Sequence, residues 1–255
     1  MTMEMVLAAL KSVMDPDLGV DLVTLKFVKE KDITIAGGRV SVAIEMATPS
    51  PSKRAIVAAQ AREVLGAIPG AQDVSVTTSF VVKSVSAPEH GKPPLPGVKN
   101  VIAVGAGKGG VGKTTVAVNL AVALSKMGAR VGVLDGDIYG PNVPIMFGLQ
   151  AQLATDGKKI RPAEKYGIQI VSMGFLTQDE SPMIWRGPML HSAVQQFMRD
   201  VAWGELDYLL VDLPPGTGDV AISLAQSVGV AGAVVVTTPQ GVSVSDVRKA
   251  IAMFQ

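Results

Sequence analysis

At 255 residues the chain is long enough for one large domain or two modest ones, each with its own core. Its 23 Lys and Arg against 22 Asp and Glu leave no cationic excess to attract nucleic acid or an acidic membrane surface. With no cysteine, these residues offer no disulfide, thiolate metal ligand or cysteine nucleophile.

The start, Met1 to Leu10, contains Glu4 and is soon followed by polar residues, unlike a signal peptide, and no run approaches membrane-spanning length. A soluble cytoplasmic protein is therefore expected. Glu4 to Met14 reads as a short amphipathic helix stopped by Asp15-Pro16. Leu25 to Ile35 and Arg39 to Met46 read as strands joined at Gly37-Gly38, a pair suited to the positive φ of a hairpin. A helix over Lys53 to Gly66 and a strand over Asp73 to Val82 complete a small α+β domain, residues 1–86, with Lys53-Arg54 on the helix's solvated face. Residues 87–98 crowd prolines and glycines into an extended linker, because proline fixes φ and lacks an amide donor.

From residue 99 to 255 the pattern changes to apolar strands alternating with helices. The strands are Val101 to Val104, Val131 to Leu134, Ile168 to Met173, Tyr208 to Val211 and Ala233 to Thr237. Continuous apolar strands imply burial on both faces, hence an α/β domain with a doubly wound, mostly parallel sheet. Leu190 to Val201 places Leu190, Val194, Phe197, Met198 and Val201 on one helical face, as a covering helix requires.

The first of these strands runs into Gly107, Lys108, Gly109, Gly110, Val111, Gly112, Lys113, Thr114 and Thr115, which open an apolar helix over Val116 to Met127. Such a loop wraps backbone N–H groups around phosphate, and the helix N-terminus adds a favourable dipole. In this P-loop, Lys113 is expected to reach the β and γ phosphates and Thr114 to coordinate Mg2+. Asp212, at the carboxyl end of a buried strand, is expected in the magnesium shell. Asp135 and Asp137 end another strand in the same way. Asp137 is assigned to the attacking water and Asp135 to the metal. His90, in the linker, and His191 have no visible metal-binding partners, and Trp185 to Pro188 reads as a turn. Binding and hydrolysis of ATP with Mg2+ is the expected activity.

With these residues in place the chain resembles the Mrp/ApbC family of P-loop ATPases, which carry iron–sulfur clusters. The segments are GKGGVGKTT at 107–115, DGDIYGPNVP at 135–144, IWRGPM at 184–189, WGELDYLLVDLPPGTGD at 203–219 and VSVSDVRKAIAMF at 242–254. DPDLG at 15–19 and TPSP at 48–51 resemble the small PaaD/SufT-type domain. The resemblance implies delivery of clusters to apo-protein clients, without nucleic acid or membrane as partner. It also implies a homodimer in which Lys108, the extra lysine of a deviant Walker A loop, reaches the partner's ATP. Residues 135–144 and 212–219 would be the switch segments. Family members continue into a Cys-x-x-Cys segment that holds a [4Fe–4S] cluster between subunits, so the sequence reads as C-terminally truncated, without cluster ligands or part of the adenine pocket. Ser50 stands where the family often has cysteine. Two rival functions are a MinD- or ParA-like positioning ATPase and a scaffold in which nucleotide only fixes conformation.

Overall fold

The computed structural model describes residues 1–85, 95–137, 140–150, 154–155, 159–175, 197–216 and 229–252. The proline-rich stretch over 86–94, with His90, lies outside the described residues, as do Trp185 to Pro188, His191 and the first part of the helix expected from Leu190. The chain divides into two compact units, Met1–Lys83 and Ser84–Gln255.

In the first unit, α1 (Met3–Leu10) and α2 (Pro51–Gly66) pack against β1 (Ile33–Ala36), β2 (Arg39–Met46) and β3 (Asp73–Phe80). Strand β2 buries Val40, Val42, Ile44 and Met46 at alternate positions, so one face of the sheet meets the helices. The hairpin at Gly37-Gly38 forms as expected, pairing Ala36 with Arg39, while β2 and β3 run parallel. Two elements are shorter than their apolar pattern suggests. Helix α1 ends at Leu10, where the Ser12 hydroxyl bonds the Ala9 carbonyl. Residues 25–32 are not strand: the Asp21 carboxylate accepts the Val23 and Thr24 amides, Lys26 takes φ 57° and Asp32 accepts the Lys29 amide. Such local side-chain bonds replace the ladder. Lys53 and Arg54 are not simply solvated, since Lys53 pairs with Asp17 at 2.5 Å and Arg54 lies 5.0 Å over the Phe80 ring. Ser50 is the buried residue preceding α2, with its Oγ 3.1 Å from that of Ser52.

The second unit is built on a six-stranded sheet. Its strands are β4 (Val98–Ala106), β5 (Val131–Asp135), β8 (Ala163–Lys165), β9 (Ile168–Ser172), β10 (Leu206–Asp212) and β11 (Val230–Val236), in the spatial order β11-β4-β10-β5-β9-β8. All neighbours are parallel except β8 and β9. The antiparallel edge β8 had not been expected. Its Tyr166-Gly167 turn, with φ of 54° and 70°, is the signal that could have disclosed it. Between β5 and β8 lie α4 (Val143–Phe147) and the short pair β6 (Ala154–Thr155) and β7 (Ile160–Arg161).

Alternation along the central strands establishes the layers. Leu209, Val211 and Leu134 join one apolar cluster with Phe197, Met198 and Trp203, whereas Leu210, Val131 and Val133 join another with Val118 and Ala121 of α3 (Lys113–Lys126). Both faces of the sheet are therefore covered, which stabilises each buried Val or Leu by roughly 1.5–3 kcal/mol.

At the amino ends of the strands the buried Asp207 accepts Lys99 Nζ at 2.8 Å and the Arg130 amide at 2.9 Å, with the Arg130 guanidinium 3.5 Å away. Burial opposes its charge, yet these donors outweigh that and hold its carboxyl below the ordinary range. We expect Asp207→Asn to lower stability by about 1–3 kcal/mol at neutral pH in urea denaturation. A depressed carboxyl stabilises above its unfolded pKa and loses that contribution as pH falls through the folded value. The difference between variant and parent should therefore shrink below about pH 4.

Candidate functional site

The carboxyl ends of β4, β10, β5 and β9 gather the chemistry. Strand β4 passes into the loop 107–112, which turns into α3 at Gly112, where φ is 90°. A residue with a Cβ is strained there, and no side chain caps α3, so its first-turn N–H groups can meet an anion. The loop borders a cleft of about 390 Å³. Lys108, Gly109, Gly110, Gly112, Lys113, Thr114, Thr115 and Asp137 line it, together with Asn142 and Pro215 from the two expected switch segments and Met146, which sequence reasoning had not singled out.

Gly107 and Val111 do not line the cleft. Gly107 instead faces α5 (Gly241–Ala252): a Cβ there would stand 2.8 Å from the carbonyl carbon of Asp246 and the nitrogen of Val247. Its glycine is required by close backbone packing.

Below the loop, Lys113 Nζ lies 2.5 Å from Asp212 Oδ1, and the Thr114 hydroxyl donates to Asp212 Oδ2 at 2.7 Å. Asp212 has no exposed surface. Burial raises its carboxyl pKa, while Lys113 and Thr114 oppose the rise. Asp135 is its partner in register on β5 and is equally buried. Asp135 accepts the amides of Asp137 at 3.1 Å and Val143 at 3.3 Å, and the Ser172 hydroxyl at 2.9 Å. Burial pushes its carboxyl up to about 7, with these bonds pulling the other way and the Asp212 charge adding to the rise. Asp137, half-buried, accepts the Gly140 amide. Ser172 escaped the sequence reading, although a polar residue ending an apolar strand is the same signal that marked Asp135 and Asp212.

Thr114 and Asp212 place hydroxyl and carboxylate oxygens side by side, a donor set that suits Mg2+. The cluster expected from the resemblance is a different matter. The 255 residues contain no cysteine to ligate it, and no group of three or more His, Asp or Glu among the described residues could hold a metal ion.

The family model for NUBPL iron-transfer P-loop NTPases matches residues 97–255, and that for an iron–sulfur cluster assembly protein matches residues 3–78. The chain belongs to the iron–sulfur cluster carrier family of P-loop NTPases. It is 48% identical to the iron–sulfur cluster carrier protein of Deinococcus radiodurans, over 98% of this chain and 70% of that protein. It is 47% identical to the one from Synechocystis, over 100% of this chain and 73% of that one. Among solved structures, a nucleotide-binding protein from Archaeoglobus fulgidus in complex with ADP matches with 42% identity and a TM-score of 0.55, covering 62% of each chain. The P-loop NTPase match covers the glycine loop, the Lys113–Thr114–Asp212 cluster and the cleft-lining residues.

Gly107 and Gly109 should separate packing from binding. Gly107→Ala forces α5 or the loop to shift and should cost about 1–3 kcal/mol in denaturant unfolding. A Cβ at Gly109, whose nearest neighbours are Pro215 atoms at 4.0 Å, should leave stability within about 0.5 kcal/mol while weakening nucleotide binding at the cleft. Calorimetric titration with ATP measures the second effect.

Proposed function

We propose that this chain binds and hydrolyses ATP with Mg2+ and uses that cycle to drive delivery of iron–sulfur clusters to apo-protein clients. The observation that carries the reading is the buried Lys113–Thr114–Asp212 cluster beneath the glycine loop, in a chain whose two family matches both concern iron–sulfur proteins. The relatives' name, iron–sulfur cluster carrier protein, supplies the cargo. The cluster is substrate here, and its ligation by cysteine is not a property of these 255 residues. These residues perform the nucleotide-driven part of the cycle.

The cleft-lining residues of the loop, Lys108 to Gly110 and Gly112 to Thr115, cradle the phosphates, with Lys113 on the β and γ groups. Thr114 and Asp212 supply oxygen donors for Mg2+, with Asp135 behind them. The metal neutralises charge on the phosphates when bound. Asp137, on the cleft wall, orients the attacking water.

Lys108 lines the same cleft, and among the described residues no carboxylate pairs with it, so its charge is available to a phosphate. In the proposal it serves the nucleotide of a second copy, making turnover dimer-dependent. The segments 1–86, 87–98 and 99–255 act as accessory domain, linker and ATPase domain. Near-equal acidic and basic counts support a protein partner over nucleic acid or an acidic membrane.

Magnesium-dependent ATP turnover, measured across protein concentration, tests this reading. Turnover per chain should rise with concentration as dimers form, and Lys108→Ala should reduce it by about 10³-fold or more, if the lysine acts as arginine fingers do. A rate independent of concentration and unchanged by the substitution would remove both the dimer and Lys108 from the chemistry.

A further inference from the structure

Three polar residues stand in a row across adjacent parallel strands: Asp212 pairs in register with Asp135, and Asp135 with Ser172. The first two belong to the nucleotide site. Ser172 is fully buried at the end of β9, and its Oγ accepts the Gly174 amide at 3.0 Å while donating to Asp135 Oδ2 at 2.9 Å. Because the amide occupies an acceptor position on Oγ, the hydroxyl proton is directed at the carboxylate. Asp135 holds the segment 135–143 near both ends through the Asp137 and Val143 amides. That segment brings Asp137 and Asn142 to the cleft.

A second contact ties the same parts together. A Cβ on Gly174 would stand 2.9 Å from Cβ and Cγ of Pro141, so the backbone after β9 lies directly against the segment that Asp135 holds. The end of β9 therefore reaches segment 135–143 twice, through the Ser172–Asp135 hydrogen bond and through Gly174 against Pro141.

We propose that Ser172 is a positioning residue for ATP hydrolysis: its hydroxyl fixes the rotation of the Asp135 carboxylate, and thereby the backbone at Asp137 and Val143 and the presentation of Asp137 to the cleft. This rests on the nucleotide reading of the site. Two amides alone leave the carboxylate free to tilt, whereas the hydroxyl, oriented by Gly174, adds a third donor from another strand. Without it Oδ2 keeps only the longer bond to Val143, and the Gly174 amide loses that acceptor.

The test compares Ser172→Ala and Ser172→Thr with the parent chain. In Ser172→Ala, kcat for ATP should fall about 10–100-fold, the scale of a small misplacement of a reacting group, while KM for ATP stays within about threefold. In the nucleotide-free chain, amide exchange at Asp137 and Val143 should accelerate together. Ser172→Thr, which keeps the hydroxyl, should restore most of the rate. Unchanged kcat and exchange in Ser172→Ala would overturn the proposal. So would a joint loss of kcat and ATP affinity that threonine does not repair, since that marks a purely structural serine. A parent chain without ATP turnover would instead sink the reading of the site, and the exchange measurement would still decide whether Ser172 holds the segment.

Discussion

A carboxylate with no exposed surface stays charged only beside a cation, and Asp212 meets this condition through Lys113 and the Thr114 hydroxyl. Both partners come from the first turn of α3, so the start of that helix is pinned to the end of the central strand β10. Breaking such a pair by removing one member costs about 3–5 kcal/mol, comparable to a large part of a domain's net stability. Much else follows from this pairing. Once α3 begins there, Val118 and Ala121 pack against the β5 face, and the six residues between β4 and α3 must turn inside a short span. Glycines make that turn possible, and Gly107 also lets α5 close against the loop from behind.

Strand β10 carries an aspartate near each end, and their surroundings separate structure from function. Asp207, at the amino end, is held by Lys99, Arg130 and a backbone amide, none of which lines the cleft. Its charge is fully employed in joining β10 to β4 and to the residue preceding β5. Asp212, at the carboxyl end, shares its lysine with the cleft wall. In parallel α/β sheets ligands bind outside the carboxyl ends of the strands, and the contrast gives that rule a local cause. The amino-end carboxylate has stationary partners, whereas the partner of the carboxyl-end one can also be offered to a ligand.

The glycine loop and the aspartates at strand ends were legible in the sequence because each combines a residue type with a place on an apolar strand. The parallel sheet was legible for the same reason, since unbroken runs such as Tyr208 to Val211 require cover on both faces. What escaped depended on contacts distant in sequence or on local competition. Nothing near Gly107 announces that Asp246 will stand against it, and Ser172 acquires meaning only beside Asp135. The strand expected over residues 25–32 failed because Asp21 and Asp32 bond neighbouring amides, a choice that apolar periodicity does not register. Lys53 is partly solvent-facing as expected, but its pairing with Asp17 and the packing of Arg54 over Phe80 were not legible because those partners lie far away in the chain.

The two buried carboxylates also explain why nucleotide and divalent cation belong together in the proposed cycle. Asp135 and Asp212 lie side by side in register, yet only Asp212 has a cationic partner among the described residues. Asp135 relies on hydrogen bonds, and burial raises its carboxyl to about 7 despite them. If Lys113 turns toward a phosphate, Asp212 loses its counter-charge and two carboxylates remain buried together. That arrangement carries the penalty of an uncompensated buried charge, about 3–5 kcal/mol, which phosphate binding by Lys113 alone would have to overcome. A divalent cation held by the Thr114 and Asp212 oxygens would supply the missing positive charge. The same Asp212 carboxylate thus closes an ion pair here and would serve as an oxygen donor in the proposed metal-bound arrangement. In the proposed cycle, exchange of Lys113 between carboxylate and phosphate would couple the ligand to the ends of β10 and β5, where Asp135 accepts the Asp137 amide.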